Sequence, residues 1–342
     1  MMQADWAQRH KYVRRKVAAH HLQGLFDKLM PMIGTTLNGR WDIRGLYDVG
    51  GQGLIWAAGD NSNEGRPAII KMAFLPYHRQ ASFGVRDIRK ARQRIEEEAS
   101  ILRSCSGTIL PELYDFFYSS NPLHLSQRGE GVIAKEPYVV MEFIEGEALD
   151  AKGRALYHEN PPQYRMLEDL AVLVACELLS FFANLLENSA GHLYADVRPN
   201  NILISRDENR SIRLLDAGSV VPARERHGRS APYSVAFLPP DYYRDLQKGQ
   251  PRWPTQRSVT YALGTTLHQL LTNREPIPGQ RPNFGEAVLR GYSEELVKCV
   301  EDMIVGRYAD FEYLKGVFEA LIRLRPASSE ARLSPQDWRA PH

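Results

Sequence analysis

The chain has 342 residues, 43% of them hydrophobic and 25% charged, with a formal net charge of +2, the balance of a soluble globular protein with one large two-lobed domain or two ordinary ones. A charge this close to zero argues against nucleic acid as a partner, and the three scattered cysteines, Cys105, Cys176 and Cys299, fit neither a disulfide framework nor a metal site. No apolar run approaches the roughly 18 residues that a membrane span requires and the N-terminus lacks an apolar signal core, so the expectation is a cytoplasmic protein without a membrane span.

Residues 4–33 predict a helix, with Trp6, Val13, Val17, Leu22, Leu25, Phe26 and Leu29 at helical spacing among basic residues. Such a helix either packs on its own domain or docks a regulatory protein partner or a membrane surface. Residues 41–74 read as strands: Leu46–Val49 leads into Gly50, Gly51 and Gly53, then come Leu54–Ala58, a polar loop from Gly59 to Arg66, and Ala68–Ala73. Residues 87–103 turn helical, with Ile88, Ala91, Ile95, Ala99 and Leu102 on one face. Leu113–Tyr118 and Tyr138–Phe143 are strand-like, joined by a long polar loop. Beyond a break near Glu145–Gly146 the pattern becomes mostly helical. Leu167–Leu186 is a buried apolar helix, Ile202–Ser205 and Ile212–Leu215 are a short strand pair, residues 216–257 show no periodicity, and 259–272 and 286–322 are helical.

The chemistry-bearing residues follow one another in a fixed order. Asp48-Val49-Gly50-Gly51-Gln52-Gly53 places glycines between two strands, where backbone amides approach a ligand. Lys71 ends an apolar strand 18 residues after Gly53. Glu98 lies on the following helix, close to its apolar face, where a carboxylate can pair with Lys71. In Asp196-Val-Arg198-Pro-Asn-Asn201 a carboxylate, a cation and an amide share one loop, and Asp216-Ala-Gly218 sets a carboxylate at a strand end, a setting that suits a magnesium ligand.

This ordered set resembles the eukaryotic-type protein kinases that many bacteria also carry, the Hanks-type serine/threonine kinases. The resemblance runs from about Trp41 to Leu321. It implies an α+β, bilobal fold: an N-terminal helical extension (1–40), a small β-rich lobe (41–145), a larger, mostly α-helical lobe (146–325) and a tail (326–342). It also implies ATP and Mg2+ as cofactors and a protein as substrate. Val49, Gly50, Gly51 and Gly53 would cover the phosphates, Lys71 would hold them with Glu98 orienting it, and Met141, Glu142 and Phe143 would line the adenine site. Asp196 would be the catalytic base, Arg198 would steady the γ-phosphate in place of the usual lysine, and Asn201 and Asp216 would hold the metal. Leu238-Pro-Pro-Asp241 resembles the end of an activation segment, Arg307 its pairing arginine, and Ser234 the residue that contacts the base in serine/threonine kinases.

Four departures from the family pattern stand out, one of them two residues long. Asp48 replaces the first loop glycine, Tyr194-Ala195 the usual His-Arg, Ala217 the usual phenylalanine, and Val259 a helix aspartate that braces the catalytic loop. The arginine lost at Ala195 normally receives an activation-loop phosphate. None of the four removes the lysine, the base or a metal ligand, so an active serine/threonine kinase is the reading. A pseudokinase acting as a nucleotide-binding scaffold and a small-molecule kinase are the alternatives. The basic segment Pro222–Arg229 is a solvated loop or a contact for acidic partners, and Ser219, Ser230 and Ser234 are candidate autophosphorylation positions.

Overall fold

Alternation of apolar side chains, with period two, builds the first part of the chain into strands. A computed structural model describes residues 12–13, 15, 27, 29–50, 53–73, 85–120, 135–188, 191–207, 210–224, 232–285 and 291–324. The chain divides into two compact units, one made of Met1–Gly107 and Pro111–Phe143, the other of Thr108–Leu110 and Ile144–His342.

Among its described residues, unit 1 holds a six-stranded sheet and a long helix packed on it. Its strands are β1 (Thr36–Leu37), β2 (Trp41–Gly50), β3 (Gly53–Asp60), β4 (Arg66–Met72), β5 (Leu113–Ser119) and β6 (Glu136–Glu142), and its helix is α1 (Val85–Ser104). The sheet order is β1-β2-β3-β4-β6-β5, with every neighbouring pair antiparallel. The strands are longer than the sequence suggests, because Trp41–Arg44 and Gly59–Asp60 continue the ladder beyond the apolar runs.

One face of this sheet carries Trp41, Ile43, Trp56, Ile70, Met72, Tyr138 and Val140, all at 2% exposure or less. Val13 and Leu29 belong to the same cluster and are fully buried, with Met30, Met32 and Ile33 packed against it. Tyr12, Val13, Arg15, Asp27 and Leu29 are helical, and the rest of the predicted 4–33 helix up to Lys28 lies outside the described residues. Val13 and the 29–33 stretch, the described part of the N-terminal segment with apolar side chains, thus pack on their own domain. Lys71, alternating with Ile70 and Met72 along β4, points to the opposite face, and α1 packs against β4, β5 and β6.

The apparent polar loop from Gly59 to Arg66 holds a buried charge. Asp60 is 0% exposed and accepts hydrogen bonds from Arg40 Nε (2.8 Å) and Nη2 (2.7 Å), Arg66 Nη2 (3.1 Å), and the hydroxyl (2.7 Å) and amide (3.1 Å) of Ser62. The Arg40 bonds hold its carboxyl well below the usual range. The two guanidiniums in turn lie over aromatic rings, Arg40 on Trp41 at 4.4 Å and Arg66 on Tyr114 at 3.7 Å.

Unit 2 is mostly helical. It contains β7 (Gly146–Ala148), α2 (Leu149–His158), α3 (Tyr164–Asn188), β8 (His192–Tyr194), β9 (Ile202–Ser205), β10 (Ile212–Leu214), β11 (Val220–Pro222), α4 (Pro240–Gln247), α5 (Gln256–Thr272), α6 (Glu294–Val305) and α7 (Phe311–Leu324). The stretch expected as one helix over 286–322 is two, because Gly306 adopts φ +81° at the α6 C-cap and ends the helix. Residues 286–290 are outside the described set.

Helix α3 is long and apolar enough, by length and composition, to cross a membrane, which the run-length criterion did not register. Its apolar residues are spent inside unit 2: Leu167, Leu170, Ala171, Val174, Ala175, Leu178 and Leu179 are all fully buried, and α3 packs against α5 and α7. Helix α5 starts on a capping box in which Thr255 and Ser258 satisfy each other's backbone amides. It is buried continuously from Ser258 to His268.

The short segment Thr108–Leu110 crosses into unit 2 between α1 and β5. Leu214 N donates to Ile109 O (3.0 Å), and the fully buried Arg213 donates from Nε to Ile109 O (3.2 Å) and from Nη2 to Leu110 O (3.0 Å).

Candidate active site

In unit 1, the β2–β3 hairpin closes on the Val49–Leu54 and Gly50–Gly53 pairs; Gly51 lies outside the described residues. A Cβ on Gly53 would sit 2.5 Å from Met72 O, so glycine there is required by the close approach of β3 to β4. Asp48 turns one carboxylate oxygen onto the amide of Val49 at 2.7 Å.

Lys71 Nζ lies 2.9 Å from Glu98 Oε1 and 2.8 Å from Oε2. Lys71 is 7% exposed and Glu98 3%. Glu98 reaches the lysine because it shares the inner face of α1 with the buried Ile95, Ala99 and Leu102. Met141 is buried on β6, paired with Ile69. Glu142 is fixed by its own backbone, which donates to Glu112 O (2.9 Å), and by its carboxylate, which accepts from Glu112 N (3.1 Å). The Phe143 ring stands edge-on to Tyr47 at 5.9 Å.

In unit 2, Asp196, Arg198 and Asn201 are brought together. Asn201 Nδ2 donates to Asp196 O and to Asp196 Oδ2, both at 2.9 Å. Arg198 Nε is 3.2 Å from Asp196 Oδ2. Asp196 is 6% exposed, and its Oδ1 is buried without a hydrogen-bond partner among the described residues. Leu215 N donates to Asn201 O at 3.0 Å, which ties this loop to the strand end that presents Asp216. The helix aspartate absent at Val259 is replaced by other braces: Asn201 on Asp196 O, Thr266 Oγ1 on Val197 O (3.3 Å) and Ala195 N on Ser219 O (2.8 Å).

Ala217 is fully buried where the family has a phenylalanine. Close to it in the chain fold, Tyr194 is also 0% exposed and stacks on Phe182 at 6.2 Å. Burial, reinforced by the charges of Asp216 and Asp196, pushes its phenol well up, so it stays protonated.

Three expectations need correction. Arg307 does not pair with Asp241: it bonds Asp302 at 2.6 Å, one turn back across the α6 cap, and Asp241 is held by Arg252 (2.9 Å) and Arg257 (3.4 Å). The nearer carboxylate wins because it costs Arg307 no extension from its own helix end. Ser234 makes no hydrogen bond to Asp196 among the described residues; it lines a recess with Ala195, Tyr233, Phe237, Leu238 and Tyr242. Ser219 is 0% exposed, with its hydroxyl bonded to Asp216 Oδ2 at 2.9 Å, and is therefore no accessible phosphorylation position. Ser230 and most of the basic segment up to Arg229 lie outside the described residues.

The protein kinase domain family matches residues 81–326, most of the chain. The chain belongs to the protein kinase family. This kinase domain is 30% identical over 148 residues to the serine/threonine-protein kinase PknB of Mycolicibacterium smegmatis, covering 43% of this chain and 21% of that protein. It is 24% identical over 246 residues to PknB of Mycobacterium leprae (72% and 34%) and 25% identical over 271 residues to the serine/threonine-protein kinase PknA of a Nostoc strain (75% and 41%). The kinase domain thus spans about a fifth to two fifths of the length of these relatives. The family match begins beyond Lys71, so the glycine hairpin and Lys71 are assigned on the sheet geometry and their pairing with Glu98.

Proposed function

We propose that the chain is an ATP- and Mg2+-dependent protein kinase that phosphorylates serine or threonine side chains of a protein. The observation that carries this is the buried Lys71–Glu98 pair, with both carboxylate oxygens within 2.9 Å of one ammonium. A buried ion pair is a poor way to gain stability, since well-packed apolar residues usually do as well or better. Its retention on the inner face of the sheet is explained by a ligand that needs a fixed cation.

In this reading Lys71 holds the α- and β-phosphates, and Asp196 orients the substrate hydroxyl and takes its proton. Arg198 steadies the transferred phosphoryl group with a planar guanidinium. Among the described residues no group of three or more His, Cys, Asp or Glu side chains gathers into a metal cage. The oxygen donors of Asn201 and Asp216 suit a hard cation that keeps most of its shell from water and nucleotide phosphates. When bound, Mg2+ supplies charge neutralisation at the phosphates.

The test is label transfer from γ-labelled ATP to a generic basic protein, for wild type, Asp196→Asn and Asp216→Asn. Loss of the base is expected to cost roughly 10²–10⁴-fold while nucleotide-dependent thermal shifts survive. A magnesium-ATP shift without label in any sample favours the second reading, a nucleotide-binding pseudokinase, which the departures at Tyr194, Ala195 and Ala217 support. Neither shift nor label sinks both.

A further inference from the structure

We infer that Ser219, a residue outside the usual kinase constellation, is a positioning residue that sets the metal affinity of Asp216; this rests on the kinase reading above. Three bonds fix Ser219. Its amide donates to Asp216 O (3.1 Å), closing the 3-10 turn Ala217–Ser219, and its carbonyl accepts from Ala195 N (2.8 Å). Its hydroxyl donates to Asp216 Oδ2 (2.9 Å). The residues that follow are held as well: Val220, Val221 and Pro222 pair with Tyr194, Leu193 and His192, and Trp253 Nε1 donates to Pro222 O at 2.7 Å.

Ser219 is thus a fully buried hydroxyl on an immobilised backbone. It is anchored to the residue before Asp196 on one side and aimed at the Asp216 carboxylate on the other. A donor to a carboxylate oxygen fixes its rotamer and the direction of its free lone pairs. Partners of this kind are worth about 10- to 100-fold in metal affinity when removed. The sequence carries no periodic signal for this role, since a serine three residues beyond the magnesium-type aspartate and one beyond a glycine reads as an ordinary turn residue or a phosphorylation position.

Ser219→Ala deletes only the hydroxyl. The amide and carbonyl bonds that hold the turn persist, so the fold is retained. The experiment titrates Mg2+ into the protein with a non-hydrolysable ATP analogue and follows nucleotide binding by calorimetry, in wild type, Ser219→Ala, Asp216→Asn and the double variant. The expected result is a half-saturating Mg2+ concentration raised about 10- to 100-fold in Ser219→Ala, with metal-free nucleotide binding and melting temperature unchanged. In the Asp216→Asn background Ser219→Ala adds less than about twofold, because the two residues then share one interaction.

A Ser219→Ala titration that overlays wild type overturns the inference and leaves the kinase reading standing. An equal loss in both backgrounds also overturns it, by showing that the hydroxyl acts elsewhere. Wild type without any Mg2+-dependent nucleotide binding overturns the kinase reading and the inference together.

Discussion

At the residue scale, two buried carboxylates in unit 1 are each held by cations. Glu98 faces an ammonium, so Glu98→Ala strands a buried charge and is expected to cost roughly 3–5 kcal/mol by chemical denaturation. The double replacement Lys71→Met with Glu98→Leu restores most of that loss; a double variant as unstable as Glu98→Ala would show that packing, not charge, is at stake. The Asp60 carboxyl is held well below the ordinary carboxylate range, chiefly by its hydrogen bonds to Arg40. A lowered carboxyl gives stability that is complete above the unfolded value and is lost as pH falls through the folded one. Asp60→Asn is therefore expected to lower the melting temperature at pH 7, with the gap to wild type narrowing once the pH drops below about 4. A gap that is constant with pH would refute the linkage.

How legible these residues were depended on their surroundings. Lys71, Asp196, Asn201 and Asp216 stand at element ends flanked by apolar runs, and that contrast shows in the sequence. Asp60 and Ser219 do not stand out. Asp60 lies among Asn, Ser, Gly and Arg and its burial comes from guanidiniums 20 residues before and 6 after it. Arg307 misled because a motif fixes residue types, while the choice between Asp241 and Asp302 is made by reach.

At the element scale, the long strands β2 to β6 and the helices α1, α3 and α5 could be read from periodicity, since each spans several turns or alternations. The three-residue strands β7, β8 and β11 and the short helices α2 and α4 could not, because fewer than three repeats carry no period. Gly146 illustrates the kind of information that is lost: its Cβ would meet Ile204 O at 2.4 Å, so β7 exists through backbone pairing with β9. Helix packing gives a sharper prediction. A Cβ on Gly264 would lie 3.0 Å from Met303 Cβ and 3.2 Å from Ile304 Cγ1. Gly264→Val is accordingly expected to overpack the α5–α6 contact and destabilise by roughly 1–3 kcal/mol in denaturant titrations, whereas Gly316→Ala, where no described residue lies within 4 Å of the added Cβ, gains a few tenths or more from helix propensity.

At the scale of the whole molecule, the sheet of unit 1 has described residues packed on each face: α1 and the Lys71–Glu98 pair on one, and Val13 and Leu29 on the other. Val13 and Leu29 seal a surface that includes Trp41 and Trp56; burial of side chains of that size contributes roughly 1.5–3 kcal/mol each. Deleting residues 1–33 is expected to lower the melting temperature and to raise binding of an environment-sensitive apolar dye, and an unchanged dye signal would show that the face is protected in another way.

The passage of Ile109 and Leu110 into unit 2 bears on where this polypeptide can be severed. Cutting once between Phe143 and Ile144 would yield halves that do not correspond to the two units, because the second half would lack the carbonyls that receive Arg213 and the amide of Leu214. A buried guanidinium that loses two carbonyl acceptors at once is costly, so the fragment 144–342 should fail to refold alone yet recover when mixed with 1–143. The same three hydrogen bonds would then serve as a molecular latch for a split-protein reporter.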